Sequence, residues 1–312
     1  MYRYLDFEGD VEKVENQINQ LQVNDINFIK KKNKLIEKKN TLLKKIYSNL
    51  SAWEKVQVAR HADRPHSIDY INLIFEKITY LHGDKKFSDD NAIIGCLASL
   101  SGQSVMIIGN EKGNSMESRL KHNFGMAKPE GYRKAQRLMM LADKFNLPII
   151  TFIDTAGAFP GKEAEERGQS ESIASSILTS LKIDSPIISI VIGEGGSGGA
   201  IALATADKVM MLEHSIYSVI SPEGCASILW RSSDFVQKAA ENLKLTAQDC
   251  FYNKIIDSIV EEVPGGAHRF PKEQAIILKK EITANLKSIK LSSGEVRRKV
   301  RNEKFLNITS NI

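Results

Sequence analysis

A glycine-rich stretch at residues 193–200, GEGGSGGA, contains residue types that could support three different chemistries. It fits the G-x-G-x-x-G pattern of dinucleotide-binding sites and the G-x-S-x-G pattern of serine hydrolases. It could also act without side chains, because glycines let backbone N–H groups at the start of a helix approach a negatively charged oxygen. The surrounding sequence therefore has to decide between a nucleotide site, a nucleophile and an oxyanion-binding backbone.

The dinucleotide interpretation assigns the three fingerprint positions to Gly193, Gly195 and Gly198. Glu213 follows about 20 residues later, where an acid that binds the ribose is expected. Against this interpretation, the fingerprint normally opens the first strand–helix–strand unit, whereas other strand and helix patterns precede it here. A phosphate-binding P-loop is excluded, because no Lys-Ser or Lys-Thr pair follows the glycines.

The hydrolase interpretation requires Ser197 as nucleophile, followed in the chain by an acid and a histidine. Asp207, Asp234 or Asp257 and then His268 supply that order. Both neighbours of Ser197 are glycines, however, whereas a nucleophilic serine is usually held by larger residues. The sequence therefore favours a Ser197 hydroxyl that is hydrogen-bonded within the loop and a His268 that is a surface or packing residue.

A second loop of small residues, TAGAFPGKEAEERG at residues 155–168, follows the preceding strand pattern. Two successive strands thus end in loops that lead into helix N-termini, which predicts a pocket rich in backbone N–H groups. Such donors stabilise a developing oxyanion, and the loss of one typically slows a reaction by about 10²–10³-fold. Glu165, Glu166 and Arg167 in this loop are predicted to form interface or internal salt bridges.

The elements that must position these loops alternate between strands and helices, which predicts an α/β domain over residues 91–264. Two short strand patterns in succession, at residues 208–221, indicate repeated strand–strand–helix units. Strands are predicted at residues 91–100 and 104–109 (as a hairpin), 147–154, 185–192, 208–214, 215–221 and 254–263, and helices at 129–145, 169–181, 198–206, 222–230 and near the C-terminus.

The overall composition indicates a soluble, cytoplasmic protein. The 312 residues carry a net charge of +5, and the three cysteines are far apart, which argues against a zinc site and for a reducing compartment. No secretory signal pattern opens the chain. The apolar runs reach only about eight residues, short of the roughly 20 that a membrane helix needs.

The N-terminal part, at residues 11–50, has a helical pattern with a narrow apolar stripe that could pack on another surface. A short coiled coil is the alternative. Residues 30–45 are rich in lysine but contain no aromatic residues to stack on bases, so nucleic-acid binding is not predicted. A polar connection at residues 59–70 follows, in which Pro65 prevents a continuous helix.

Four segments together resemble the carboxyltransferase alpha subunit of bacterial-type acetyl-coenzyme A carboxylase. They lie at residues 123–161, 164–174, 191–200 and 217–230, and the likeness extends over residues 5–269. The resemblance implies a crotonase-like (ClpP/crotonase) fold of strand–strand–helix repeats with an N-terminal helical extension. It divides the chain into an extension at 1–29, a carboxyltransferase domain at 30–290 with its core at about 91–264, and a C-terminal tail at 291–312.

The resemblance also implies the activity and the partners. The family transfers the carboxyl group of carboxybiotin, carried by the biotin carboxyl carrier protein, to acetyl-CoA and so makes malonyl-CoA for fatty acid biosynthesis. Biotin carboxylase supplies the carboxybiotin, and a beta subunit that holds acetyl-CoA and zinc completes an α2β2 assembly. This chain is expected to carry no covalent cofactor and no metal. The alternative is a non-catalytic crotonase-fold paralogue that acts as a scaffold or binding module.

In the family the glycine pair supplies the N–H groups of the oxyanion hole, and these positions correspond to Gly198 and Gly199. The further residues expected to line the carboxybiotin pocket come from the second loop and from the SPEG turn: Gly157, Ala158, Phe159, Ser221, Pro222, Glu223 and Gly224. The sequence departs from the usual family pattern at several positions, including Asn110, Asn114, Ala156, Lys162 and Ser175.

Overall fold

The computed structural model describes residues 2–22 and 27–308. The strands are β1 (Glu76–Tyr80), β2 (Ile93–Leu100), β3 (Gln103–Asn110), β4 (Ile149–Thr155), β5 (Ile187–Gly196), β6 (Lys208–Leu212), β7 (Ile216–Ser218) and β8 (Ser258–Val260). The helices are α1 (Gly9–Asn19), α2 (Phe28–Tyr47), α3 (Ala52–Ala59), α4 (Ser67–Ile74), α5 (Met116–Lys121), α6 (Pro129–Lys144), α7 (Lys162–Glu166), α8 (Gln169–Lys182), α9 (Ser197–Ala204), α10 (Pro222–Trp230), α11 (Val236–Asn242), α12 (Ala247–Tyr252), α13 (Pro271–Ile289) and α14 (Gly294–Leu306).

One mixed sheet organises the described residues, and the predicted α/β class is confirmed. Its strand order is β1-β2-β3-β4-β5-β6-β8, and β7 pairs with β5. The predicted hairpin is present, since β2 and β3 pair antiparallel from Ile93 opposite Asn110 to Leu100 opposite Gln103. From β3 onwards the pairs are parallel, so the carboxyl ends of β4 and β5 lie at the same edge of the sheet.

The two predicted short strands after the glycine stretch both pair with β5, but along different parts of its length. β6 pairs with the first half of β5, around Ile190, whereas β7 pairs with its last residues. β5 is therefore longer than the predicted strand at 185–192 and includes the first half of the glycine stretch, residues 193–196. Pairing with neighbours on both sides overrides the low strand propensity of glycine here.

The core lies on both faces of the sheet because successive strand side chains point in opposite directions. In β5, Ile187 and Val191 pack with the side chains of α6, α9 and α12 on one face. Ile188, Ile190 and Ile192 pack with those of α4 and α13 on the other face. Burial on both faces explains why β4 and β5 are almost uninterrupted apolar runs.

The N-terminal helices α1 and α2 pack against each other rather than exposing their apolar stripe. They run antiparallel, since Tyr47 in α2 donates to Glu8 just before α1 and Lys39 pairs with Glu15 at 3.3 Å. Their apolar side chains form a cluster with Val58 of α3. Within the stripe, Val11 and Val14 are buried, and the remaining members are half-buried.

The predicted tail contains helix α14, which contacts α8. Arg301 of α14 is 1% exposed, and its guanidinium pairs with Asp207 at 2.8 Å. In the described residues no helix combines the length and the apolar character needed to cross a membrane.

Candidate active site

The turn between β5 and α9 forms the centre of the candidate site. Gly195 pairs with Thr155 of β4 on one side and with Tyr217 of β7 on the other. The chain turns at Ser197, whose φ of +49° lies in the left-handed region that costs a non-glycine residue roughly 1–2 kcal/mol. The sharp turn sends the chain directly from the sheet edge into α9.

The first turn of α9 contains Gly198 and Gly199, the two predicted oxyanion-hole residues. The first N–H groups of a helix have no acceptor within the helix, and the helix dipole favours negative charge at this end. The structure therefore places both N–H groups where they could bind an anionic oxygen.

The second loop packs directly on this turn, as the sequence predicts. A Cβ atom at Gly199 would lie 2.7 Å from the carbonyl carbon of Gly157, and one at Gly196 would overlap the oxygen of Ala156. A Cβ at Gly198 would meet only the side chain of Ile173, at 3.3 Å. Close packing thus requires glycine at 196 and 199, while Gly198 has more room.

The remaining predicted residues of this loop are held by backbone contacts. The Thr155 hydroxyl donates to the Gly157 oxygen at 2.7 Å and accepts from the Gly157 N–H at 3.1 Å, which fixes the turn before Ala158. The Phe159 N–H donates to the Ala127 oxygen at 3.0 Å. Lys128 Nζ lies 4.9 Å from the centre of the Phe159 ring, so this ring is partly covered by a cation.

The predicted SPEG turn begins α10. The Ser221 hydroxyl accepts from the Gly224 N–H at 3.1 Å, and Pro222 occupies the first turn, where its missing N–H costs nothing. Ser221 and Pro222 face Gly195 and Gly196 across a cavity of about 30 Å³. That volume holds about one water molecule, so the turn and the glycine strand are nearly in contact.

Sequence analysis missed a set of charged side chains behind the glycine strand, which we call the site network: Arg60, His66, Lys112, Asp154 and Glu194. Lys112 Nζ lies 2.8 Å from Asp154 Oδ1 and 2.6 Å from Glu194 Oε2. His66 Nδ1 lies 2.7 Å from Asp154 Oδ2, and Arg60 Nε lies 2.6 Å from Glu194 Oε1. The two acids stand at the ends of β4 and β5, so the network ties these strand ends together.

Arg60 also connects the network to the SPEG turn, because its Nη1 donates to Glu223 Oε1 at 2.6 Å. Glu223, predicted from the resemblance, thus reaches the glycine strand through one arginine. The Glu194 N–H donates to Asp154 Oδ1 at 3.0 Å, which adds a backbone link. These contacts hold the three loops of the site in one fixed arrangement.

Opposite charges offset burial within the site network. Burial alone would raise the pKa of Asp154, but Lys112 and His66 hold that pKa well below its usual value. Burial would likewise raise the pKa of Glu194, and Lys112 and Arg60 lower it instead. Burial lowers the pKa of His66, but the hydrogen bond to Asp154 and the negative charges of Asp154 and Glu111 together outweigh burial and raise this pKa. The network therefore favours the ionised forms of all its members.

The described residues contain no triad of Ser197, an acid and a histidine, as the hydrolase interpretation would require. The Ser197 hydroxyl makes no hydrogen bond there, so the predicted bond within the loop is wrong. His268 stacks on His61 with ring centres 4.1 Å apart, which confirms it as a packing residue. Two candidate acids are engaged elsewhere: Asp207 with Arg301 and Asp257 with Lys304.

Two further residues that the sequence singled out, Glu213 and Arg167, have structural roles. Glu213, the candidate ribose-binding acid, accepts the Glu262 N–H at 3.1 Å and so joins two strand ends. Arg167 pairs with Glu130 at 2.9 Å, which confirms an internal salt bridge. In the described residues no group of three or more metal-ligating side chains has the geometry of a metal site.

Comparison with known proteins identifies the family. The family described as "Acetyl co-enzyme A carboxylase carboxyltransferase-like" matches residues 4–309. The chain is 54% identical to the acetyl-coenzyme A carboxylase carboxyl transferase subunit alpha of Paramagnetospirillum magneticum, over 97% of this chain and 96% of that one. It is 53% identical to the protein of the same name from Rhodospirillum centenum, over 98% of both chains.

Solved structures show the same fold at low sequence identity. A transcarboxylase 12S structure superposes with a TM-score of 0.53 and 21% identity, covering 69% of this chain and 41% of that chain. The predicted crotonase-like fold is thereby confirmed. The full-length relatives support the carboxyltransferase interpretation over a non-catalytic paralogue, and the chain belongs to the family of acetyl-coenzyme A carboxylase carboxyltransferase alpha subunits.

Proposed function

We propose that this chain forms the carboxybiotin half of an acetyl-CoA carboxylase carboxyltransferase. The observation that carries the proposal is the start of α9, where Gly198 and Gly199 offer N–H groups without acceptors in the helix. Such preorganised donors stabilise charge where it develops in the transition state. Among the residues that the structure describes, the site contains no assembled nucleophile, which agrees with a reaction that needs none from this chain.

The glycine N–H groups donate to the ureido oxygen of carboxybiotin, which reaches the site on its carrier protein. When the nitrogen–carboxyl bond breaks, the electron pair stays on the ureido group and CO2 is released. The ureido nitrogen then takes a proton from the acetyl methyl group of acetyl-CoA. The resulting enolate carbon forms a bond to CO2, which gives malonyl-CoA and biotin.

A partner subunit completes the site in this proposal. A beta subunit would hold acetyl-CoA and its enolate and would carry the zinc, in an α2β2 assembly that works in the cytoplasm with the carrier protein and biotin carboxylase. This chain would hold no covalent cofactor. Val219, Ile228 and Leu229, beside the SPEG turn, are between 64% and 73% exposed, and exposed apolar patches often mark protein contacts.

The proposal is tested by combining the purified chain with the beta subunit of the same organism and measuring carboxyl transfer from malonyl-CoA to biotin. We expect transfer by the complex and negligible transfer by this chain alone, because half of the site lies on the partner. A stable complex that transfers in neither direction would contradict the proposal. Robust transfer by the single chain would contradict the division of the site.

A further inference from the structure

The first described residues of the chain, at 2–5, pack on a pair of buried histidines, and we call these residues the N-terminal strap. The Tyr2 ring lies nearly parallel to the rings of His61 and His268, with ring centres 5.7 Å and 6.1 Å away. The Arg269 guanidinium lies 4.1 Å from the centre of the Tyr2 ring. The strap therefore covers two imidazoles that the proposed reaction does not use, and imidazole is the side-chain group that changes charge near neutral pH.

Hydrogen bonds at His61 join the strap backbone to the connection at residues 59–70. The Asp63 N–H donates to His61 Nδ1 at 3.1 Å, so Nδ1 carries no hydrogen. The hydrogen of the neutral ring therefore lies on Nε2, which donates to the Arg3 carbonyl oxygen at 2.6 Å. A second proton on the ring would break the bond from the Asp63 N–H. His61 can thus make both bonds only as this neutral tautomer.

The surroundings of His268 also favour a neutral ring. The Tyr47 hydroxyl donates to Glu8 Oε1 at 3.1 Å and so accepts from His268 Nε2 at 3.3 Å. His268 Nδ1 is buried and has no hydrogen-bond partner in the described residues, so a proton there would have no acceptor. Burial, together with His61 and Arg64, holds the pKa of His268 well below its usual value.

The buried carboxylates near the histidine pair are already paired with cations. Glu8 pairs with Arg269 at 2.8 Å, and Glu262 pairs with Arg64 at 2.6 Å. Asp63 is exposed and approaches the pair through its backbone N–H. The described charged and titratable side chains around the pair are Tyr2, Glu8, Glu15, Tyr47, Asp63, Arg64, Glu262, Arg269 and, behind Tyr47, His214. A proton on either histidine would therefore place an additional positive charge beside two arginines.

The connection that His61 anchors also supplies the site network. Arg60, the preceding residue, pairs through Nε with Glu194 Oε1 at 2.6 Å. The Arg64 N–H donates to the His61 oxygen at 3.0 Å, and the Arg64 side chain donates through Nε to the Ile192 oxygen of β5 at 2.8 Å. His61 is therefore the residue at which the strap, the site network and β5 are joined, so movement of His61 would displace Arg60.

We propose that the N-terminal strap is a positioning element of the site, which holds His61 and thereby Arg60 in place, and that it docks only while the histidine pair is neutral. The inference rests on the proposed function and adds to it residues that touch no substrate. Because the pKa of His268 is lowered under the strap, the docked chain binds this proton less tightly than a chain whose strap is released. Docking is therefore unaffected above about pH 6.5, the usual pKa of histidine, and weakens as pH falls below it.

The first test is hydrogen exchange of the full chain alone, measured in peptides that cover residues 59–66. Tyr2→Ala removes the ring that covers the histidine pair, so exchange in these peptides should become at least about tenfold faster through local opening. Tyr2→Phe is the matched control. The Tyr2 hydroxyl has no hydrogen-bond partner in the part of the chain that the structure describes, so a phenyl ring should preserve docking. Exchange in β2 and β3 should stay at the wild-type level in both variants.

The second test measures carboxyl transfer from malonyl-CoA to biotin in the complex with the beta subunit. With Tyr2→Ala, kcat should fall on the order of tenfold, since misplacement of a site by 1 Å can cost about 10²-fold. KM for malonyl-CoA, which the partner holds in the proposed function, should not change. Tyr2→Phe should keep the wild-type rate. Tyr80→Ala should keep it too, because this 40% exposed ring lies in the edge strand β1, away from β5.

The pH profile separates positioning from a general loss of stability. The ratio of the wild-type rate to the Tyr2→Ala rate cancels the titrations that both proteins share. This ratio should be on the order of ten at about pH 8. It should approach one as pH falls below about 6.5, because acid releases the wild-type strap as well. A general loss of stability in the variant would instead keep the ratio constant or raise it in acid.

The proposal is overturned if Tyr2→Ala leaves either the exchange of residues 59–66 or the transfer rate unchanged. It is also overturned if Tyr2→Phe loses as much as Tyr2→Ala, or if the rate ratio does not change with pH. Because exchange is measured without turnover, its result does not depend on carboxyl transfer. Absence of transfer in the wild-type complex would contradict the proposed function, while exchange would still decide whether the strap holds the connection.

Discussion

Two buried ionic clusters lie at opposite ends of the parallel strands and differ in how completely they are satisfied. At the start of β5 and β6, Arg301 pairs with both oxygens of Asp207. Its remaining N–H groups donate to the carbonyl oxygens of Ser180, Ile183 and Ser185. At the end of β5, the site network instead leaves His66 Nε2 without a partner and borders an open cavity.

This difference separates a structural cluster from one suited to ligands. A fully satisfied buried cluster fixes the fold, whereas removal of one partner leaves an uncompensated charge. An incompletely satisfied cluster can gain a partner from a ligand. The two clusters are separated by seven residue steps along β5, from Ile187, whose N–H donates to Asp207, to Glu194, which is roughly 23 Å of strand. Each cluster can therefore be altered independently.

The largest effect is expected from Arg301→Met, in the cluster that Arg301 of α14 forms with Asp207 at the start of β5 and β6. The substitution leaves Asp207 buried without its cation and should lower the free energy of unfolding by about 3–5 kcal/mol. Denaturant unfolding of the purified chain measures this change. Transfer per folded complex should stay at the wild-type level, because the cluster lies at the far end of the strand.

Arg298→Met is the control on the same helix. Arg298 pairs with Asp184 at 2.9 Å, but both side chains are more than a third exposed, and such pairs contribute about 0–1 kcal/mol. Equal destabilisation by the two substitutions would show that the buried cluster has no special role in stability.

A smaller effect, on rate rather than on stability, is expected at the other end of the strand. Gly198→Val places a side chain beside the proposed donor, where it displaces the substrate oxygen, and transfer should fall on the order of 10²-fold. The fold should survive, because a Cβ atom at this position would meet only the side chain of Ile173. Transfer rate and melting temperature are measured on the same preparation.

Gly199→Ala provides the contrast. Its Cβ would collide with the backbone of Gly157, so stability and transfer should fall together, with roughly 1–3 kcal/mol lost from overpacking. If Gly198→Val leaves the rate unchanged in an intact complex, the glycine N–H groups do not take part in the reaction.

The sheet edge at the carboxyl ends of β4 and β5 also shows how much of the fold and of the site can be predicted from the sequence. The hairpin, the helix from Pro129 and the buried strands were predictable, because their apolar periodicity is long and regular. The glycine stretch and its neighbouring loop were predictable as a pair, since parallel strands place their carboxyl ends at one edge. Family resemblance then supplied Gly198 and Gly199 as candidate donors.

The site network was not predictable from local patterns. Arg60 and His66 belong to the polar connection at residues 59–70, where isolated charged residues usually face solvent. Lys112 lies in a segment that departs from the family pattern at both Asn110 and Asn114. Only the folded sheet brings these side chains to Asp154 and Glu194, so their partnership depends on tertiary contacts.

The domain boundaries at 29 and 290 remain predictions.

The smallest effect is expected in the pH dependence of stability, and it concerns His66 alone. Its pKa is raised in the folded chain, so the folded state binds the proton more tightly than the unfolded state. This contribution is fully present below the unfolded pKa of about 6.5 and is lost as pH rises through the folded pKa. Buried His268 and His214 have lowered pKa values and act in the opposite direction.

Subtracting the free energy of unfolding of His66→Gln from that of the wild-type chain at each pH isolates the contribution of His66, because the opposing histidines are present in both proteins. Glutamine can still donate an N–H to Asp154, so the acid keeps a partner. The stability advantage of the wild-type chain over the variant should be largest at acid pH, above the range where Asp154 itself protonates, and should shrink as pH rises past 6.5. Denaturant unfolding at a series of pH values measures it. An advantage that is constant with pH would mean that folding leaves the pKa of His66 unchanged, and an advantage that shrinks toward acid pH would mean that His66 is held neutral in the folded chain. Either result would contradict a raised pKa for His66.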